Sequence, residues 1–199
     1  MFARLGAFGE PFDLVVSGIN PGSNVGRAVY HSGTIGACLT ARNGNINSIA
    51  ISQAVHGFGV EGQAWDDMLV GQRWHTAAEV AGVVAESLCG QRFDEPVVVN
   101  LNVPNIEVDE LHGWRHTSVG REIPRRMSSA VLEPLEGHQG AFRVKMSWGE
   151  PVELPDGTDG GTVERQMVSI SFLGRINAEQ RHDMSMVDES LSRLLGQPR

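Results

Sequence analysis

Asp13-Leu-Val-Val-Ser-Gly-Ile-Asn-Pro-Gly-Ser-Asn-Val-Gly26 opens as a strand and runs out into a loop. Its first five residues are a short, β-branched apolar run, which predicts a buried strand. Gly18 to Gly26 is dense in turn formers and predicts a loop of functional size. His31-Ser-Gly-Thr34 then leads into a predicted helix from Thr34 to about Arg42, stopped by Asn43-Gly44. Ser48-Ile-Ala-Ile-Ser52 is a second buried run. Strand, loop, helix and strand in that order form the repeating unit of a parallel sheet.

Downstream, residues 53–70 are Gly-rich and irregular, and include Trp65, Asp66 and Asp67. A helix is predicted from about Trp74 to Leu88, with Ala77, Val80, Ala81, Val84 and Leu88 on its apolar face. Pro96-Val-Val-Val-Asn-Leu101 predicts a third buried strand, ended by Pro104. The texture then changes. Leu111–Val119, Phe142–Trp148 and Met167–Leu173 read as strands, the last two alternating apolar and polar as half-exposed strands do. Asp156-Gly-Thr-Asp-Gly-Gly161 reads as a turn-rich loop, and Glu179–Leu195 as a closing amphipathic helix. Residues 1–9 look like the tail of a helix. Because a helix before a strand is normally a return crossover, the chain reads as starting in the middle of a unit.

Composition sets bounds. The chain has 199 residues, 41% hydrophobic and 20% charged, with a formal net charge of −8. That suits one globular domain and argues against a nucleic-acid duplex as partner. A small phosphate ester remains suitable, because backbone donors and a metal can bind it locally. The two cysteines, Cys38 and Cys89, sit in apolar helical contexts and read as reduced thiols. With no apolar stretch long enough to span a bilayer and no signal-like start, the expected location is the cytoplasm, with no membrane partner.

The chemistry is expected at the first loop. In open parallel sheets ligands bind beyond the carboxyl ends of the strands. Free N–H groups and the dipole at a helix start favour anions. Ser32 and Thr34 add hydroxyls, and Gly33 lets backbone approach a phosphate. Asn20, just past a strand end, offers a neutral oxygen suited to a hard divalent cation. A plain N-cap with no ligand explains Ser32 and Thr34 equally well.

Other candidates are weaker. His112 and His116 have metal-like spacing, but on a predicted loop and strand. His75 reads as a helix-surface residue, Arg27 as a solvated cation, and Arg121, Arg125 and Arg126 as an exposed charged loop. No Gly-x-Ser-x-Gly elbow is present, and the Gly-rich loop lacks the P-loop lysine.

The run Asp13–Gly26, followed by His31-Ser-Gly-Thr-Ile-Gly-Ala37 and Ser48-Ile-Ala-Ile-Ser52, resembles the SurE family of survival proteins. Asn100-Leu-Asn-Val-Pro104 with Gly113-Trp-Arg-His-Thr117, and Thr158-Asp159 with Met167-Val-Ser-Ile-Ser171, extend the resemblance in order along the chain. The resemblance implies a metal-dependent nucleotidase that releases phosphate from nucleoside 5′- or 3′-monophosphates, with a Rossmann-type parallel core. It implies a divalent cation, Mg or Mn, with Asn20 as a ligand. It implies Asn20, Ser32 and Thr34 as catalytic residues, and Ser32, Gly33 and Thr34 around the phosphate. Gly22 and Asn24 shape that phosphate-binding loop.

The family's consecutive Asp-Asp pair lies ahead of the matched region, so the core is expected to be N-terminally incomplete. Asp66-Asp67 reads as a solvated turn or helix start, not as a replacement pair. The expected layout is a partial core over residues 1–104. Residues 105–199 form a β-rich extension with a C-terminal helix, packed in the same domain and used to form a homodimer or homotetramer. The competing reading is a non-catalytic member that binds nucleotides or other anions, or serves as an oligomerisation module.

Overall fold

The computed structural model describes residues 2, 5–10, 12–179 and 181–196. The first strand, β1 (Leu14–Pro21), leaves through a loop and a 3-10 turn (Gly26–His31) into α1 (Gly33–Asn43). β2 (Asn47–Gln53) follows, then a short α2 (Trp65–Met68), the longer α3 (Trp74–Leu88) and β3 (Val98–Val103). β1, β2 and β3 are parallel neighbours, as the sequence predicts. β1, however, is the sheet edge and has no fully buried residue, against the buried strand expected there. It also runs on through Gly18 to Pro21, where a loop was expected.

The rest of the sheet comes from the second half of the chain. β4 (Trp114–His116) pairs in parallel with β7 (Val168–Phe172), and β7 runs antiparallel beside β3. The order is therefore β1-β2-β3-β7-β4, a mixed α/β architecture with a mostly parallel sheet. β5 (Arg125–Pro134) and β6 (Phe142–Pro151) form a separate antiparallel hairpin. α4 (Asp159–Glu164) precedes β7, and α5 (Ser185–Leu195) closes the described chain. Among the described residues no helix is long and apolar enough to cross a membrane.

β2 and β3 are buried along their whole length. Side chains alternate across a strand, so each strand serves two faces. Ile49, Ile51, Val99, Leu101 and Val103 pack with Ala77 and Ala81 of α3. On the opposite face Ala50 and Val98 pack with Ile35 and Cys38 of α1. Toward the carboxyl ends that second face becomes polar: Ser52, Asn100, Asn102, Ser169 and Ser171 are all buried. The register sets Asn100 opposite Ser171 and Asn102 opposite Ser169. Fully buried strands normally read as continuous apolar runs. The departures are Asn47 and Ser48 at the start of β2, where Ser48 Oγ donates to the Cys38 carbonyl at 3.1 Å, and the larger group at the end where the first loop lands.

Several expectations are corrected. The strand expected at Leu111–Val119 is regular only over Trp114–His116, where β7 offers a partner. The turn-rich stretch at 156–161 instead starts α4, capped by Thr158, whose Oγ1 accepts from Gly161 N at 3.2 Å. The closing helix starts at Ser185 rather than Glu179. Arg125 and Arg126, expected in a loop, begin β5. The helix tail expected at residues 1–9 falls partly outside the described residues; Leu5 to Gly9 form turns, closed by Leu5 N to Phe2 O and Gly9 N to Gly6 O.

Candidate functional site

β1 ends at the carboxyl edge of the sheet. Asn20, expected past the strand, is its last residue but one and pairs with Ser52, and the loop beyond carries Gly22 and Asn24. Nδ2 of Asn20 donates to the carbonyls of Pro21 at 3.1 Å and Gly22 at 2.7 Å. Both amide hydrogens are thereby used inside the loop, which leaves Oδ1 as the group presented outward. Oδ1 of an asparagine is a suitable ligand for a hard cation.

Asn24 is placed differently. It is buried, and its Nδ2 donates to Ser52 Oγ at 2.7 Å. Its backbone N–H donates to Asn102 Oδ1 at 2.8 Å, and its carbonyl accepts from Asn100 Nδ2 at 3.1 Å and Asn102 Nδ2 at 3.3 Å. The polar patch on the sheet is thus the socket into which Asn24 plugs. Buried polar groups without partners are costly, so loop and strands demand each other.

Two residues later the chain is clamped again. Asp159, the first residue of α4, is fully buried. Its carboxylate accepts from Gly26 N at 3.0 Å, Gly120 N at 2.9 Å and Gly160 N at 2.8 Å. Hydrogen bonds to a charged acceptor are roughly twice as strong as neutral ones. Gly26 sits at φ +51°, and a Cβ there would overlap the Glu122 carbonyl. Only glycine lets the loop pass this point.

The clamped loop delivers the start of α1. Ser32 is its N-cap, with Oγ accepting from Ile35 N at 3.2 Å, and the first helical bond runs from Gly36 N to Ser32 O at 2.9 Å. The N–H groups of Gly33 and Thr34 precede that bond and have no intrahelical acceptor. Gly33 is exposed with open space where a Cβ would stand. One end of the sheet therefore gathers an outward amide oxygen at Asn20 and a helix start with two free N–H groups and two hydroxyls. That arrangement is chemically suited to an anion beside a cation.

The described residues do not complete a cation site on their own. No group of three or more His, Cys, Asp or Glu stands within metal-binding reach among them. Asn20 supplies one neutral oxygen, and hard cations are usually held by several oxygens, carboxylates among them. Asp66 and Asp67 lie in the first turn of α2, where Asp67 Oδ2 accepts from Ala64 N at 3.3 Å. The neighbouring Trp65 ring comes against Gly22.

The remaining candidates have structural work. The His116 ring packs edge-on to Trp114 and tilted against Phe172, with centroids at 5.3 and 5.4 Å, and His112 is exposed. His75 Nε2 meets Glu107 Oε2 at 2.6 Å, and Arg73 shares that carboxylate. Arg27 Nε donates to the Arg121 carbonyl at 2.8 Å beside Glu122, so its guanidinium is engaged there. Arg125 donates to the carbonyls of Gly59 at 2.6 Å and Gly149 at 2.9 Å, tying the hairpin base to the 57–59 turn.

Asp159, Asn100, Asn102 and Ser52 were not singled out as site residues by sequence reasoning. The available signal was two asparagines alternating with apolar residues inside a strand, where burial demands a polar partner.

Residues 2–126 match the family model described as survival protein SurE. The chain is 28% identical over 171 residues to the 5′-nucleotidase SurE of Methylobacillus flagellatus, covering 86% of this chain and 63% of that protein. It is 30% identical to the protein of the same name from Methylococcus capsulatus, covering 82% and 59%. A third, from Haemophilus ducreyi, is 30% identical over 94% of this chain and 69% of its own length. The chain thus spans less than two thirds of the length of the first two relatives. The crystal structure of the SurE protein from Aquifex aeolicus superposes with a TM-score of 0.63 at 22% identity, covering 97% of this chain and 69% of that one, which shows a shared fold. With its first 126 residues matched almost throughout, this chain belongs to the survival protein SurE family.

Proposed function

We propose that this chain carries the phosphate-binding part of a metal-dependent nucleotidase that hydrolyses nucleoside 5′- or 3′-monophosphates to nucleoside and phosphate. The observation that carries the reading is the crossover from Asn20 to Thr34: one clamped loop brings an outward amide oxygen and an open helix start to the same end of the sheet. The family's curated relatives named 5′-nucleotidase give that geometry its substrate class.

In this reading the N–H groups of Gly33 and Thr34, with the hydroxyls of Ser32 and Thr34, hold the phosphoryl oxygens. Asn20 Oδ1 gives one ligand to a divalent cation, Mg or Mn, which when bound neutralises charge on the phosphate. Gly22 and Asn24 set the loop's path. Further carboxylate ligands are required, and the described residues around Asn20 do not provide them.

The test is phosphate release from a panel of nucleoside monophosphates, with Mg or Mn and with chelator. It compares the 199-residue chain with a fusion carrying the family's Asp-Asp segment ahead of it. The reading predicts chelator-sensitive release by the fusion, lost in Asn20→Ala. Release by neither protein, with phosphate binding retained, would make the chain a non-catalytic anion-binding member.

Assembly follows from the second half of the chain. One face of the β5–β6 hairpin carries Leu132, Phe142, Val144 and Met146, all exposed, while Glu133 and Arg143 pair on the other face. A lone two-stranded hairpin is marginal in water. We assign residues 105–199 the role of an assembly surface, packed with 1–104 in one domain, in a homodimer or homotetramer. Sedimentation should show an oligomer that Leu132→Glu/Val144→Glu dissociates. The unpaired thiols of Cys38 and Cys89 fit a cytoplasmic location.

A further inference from the structure

A cleft of about 350 Å³ opens beside the phosphate loop, sharing Gly22 and Ser23 with it. Its other walls come from four places in the chain: Val25, Ala54 and Phe58, the Ile123-Pro124 approach to β5, and Val163 of α4. The lining is mostly apolar, and Glu164 is its one ionisable residue. Small-molecule sites have this make-up, an apolar slot with few polar groups that set orientation.

The walls are held in place before any ligand arrives. The Phe58 ring packs edge-on to Trp148 of β6, with centroids 5.2 Å apart, yet stays 40% exposed. The Arg125 bonds to Gly59 and Gly149 fix the turn that carries Phe58. Asp159 fixes the start of α4, which brings Val163 and Glu164 to the same cleft. A cleft with one aromatic ring among aliphatic walls suits a flat ring, because base stacking on aromatics needs no particular hydrogen-bonding edge. A carboxylate, by contrast, accepts only from N–H edges.

We propose that this cleft is the nucleobase subsite, with Phe58 stacking on the base and Glu164 selecting bases that present adjacent ring and exocyclic N–H groups, guanine above all. The assignment rests on the nucleotidase reading, since that reading places the phosphate at Ser32–Thr34 and the rest of the nucleotide within reach of Gly22 and Ser23.

The experiment is equilibrium binding of guanosine, adenosine, cytidine and inorganic phosphate to the full chain, to Phe58→Ala and to Glu164→Gln. Guanosine is expected to bind the unaltered chain most tightly. Phe58→Ala should weaken every nucleoside about tenfold and leave inorganic phosphate unchanged. Glu164→Gln should remove the guanosine preference while adenosine and cytidine keep their affinities. Nucleoside binding that is undetectable, or untouched by Phe58→Ala, overturns the subsite while leaving the phosphate site standing. A guanosine preference that survives Glu164→Gln overturns the role given to Glu164. Nucleosides bound as expected, with no phosphate released by the fusion protein under any metal, would retain the subsite and reject the nucleotidase reading.

Discussion

The two faces of the central sheet are built from the same strands and do different work. On the α3 face, Ile49, Ile51, Val99, Leu101 and Val103 form an apolar cluster with Ala77 and Ala81 of α3. On the α1 face the alternate residues of those strands include Ser48, bonded to the Cys38 carbonyl, at one end, and Ser52, Asn100 and Asn102, which hold Asn24, at the other. One face contributes stability through burial. The other gives up some of that burial to fix the path of one loop. A segment that must present free backbone donors to a ligand cannot satisfy them internally, so its position has to be set by its neighbours. Here the neighbours are three strand side chains and one buried carboxylate.

The comparison breaks if both faces respond alike to substitution. Leu101→Ala on the α3 face should cost about 3 kcal/mol, from lost transfer energy and the cavity left behind. Thermal melting would show this as a fall of roughly 10 °C, while phosphate affinity of the folded protein stays unchanged. Asn102→Ala should cost less, about 2 kcal/mol, because it leaves the Asn24 N–H without its acceptor. Unlike Leu101→Ala, it should also weaken phosphate binding, since the loop loses its socket. Asp159→Asn should behave as Asn102→Ala does: its three backbone donors would lose a charged acceptor.

Smaller effects sharpen the same contrast. Ser32→Ala removes the cap of α1 and should cost about 1 kcal/mol, with phosphate affinity falling alongside. Cys38 lies in the dry part of the α1 face, where burial pushes its thiol up to about 11. Its thiolate is therefore scarce until the pH rises past that value. At pH 8 a thiol reagent should label the exposed Cys89 at once and Cys38 only on unfolding. Rapid labelling of both would show that the α1 face is open to water.

The first half of the fold was legible in the sequence because its signals are local. Val15 and Val16, the Asn43-Gly44 stop, and the apolar period from Ala77 to Leu88 each declare an element without help from distant residues, though not that β1 is a half-exposed edge strand reaching Pro21. The second half was less legible because its elements depend on partners far along the chain. β4 is regular only where β7 receives it. β5 starts with two arginines and shows its apolar alternation only against β6. The glycines of α4 misled for a specific reason. A Cβ at Gly160 would come within 2.5 Å of Leu154, and one at Gly161 would meet the Pro155 carbonyl. They serve close packing, and from sequence that use looks the same as a flexible turn. For the site, residue type alone singled out Asn20 and Ser32–Thr34 as candidates; Ser32 does cap α1, while Asn20 lies inside β1 rather than after it. Asp159 was not, because its three backbone partners, Gly26, Gly120 and Gly160, are spread over 135 positions counted from first to last.

We propose that the polar face of the sheet holds the Asn20–Thr34 crossover as a phosphate site. The sheet's opposite end offers a direct rival, a cavity of about 400 Å³ lined by Asp13, Asn45, Asn47, Gln91 and Arg92, where a cation is also at hand. Titration of inorganic phosphate with Mg, followed by backbone amide NMR on the 199-residue chain, distinguishes the two. The account predicts saturable shifts centred on the amides of Gly33 and Thr34, reduced in Asn102→Ala. Shifts centred on Asn45–Asn47 and Gln91–Arg92, or none at Gly33 and Thr34, would contradict it.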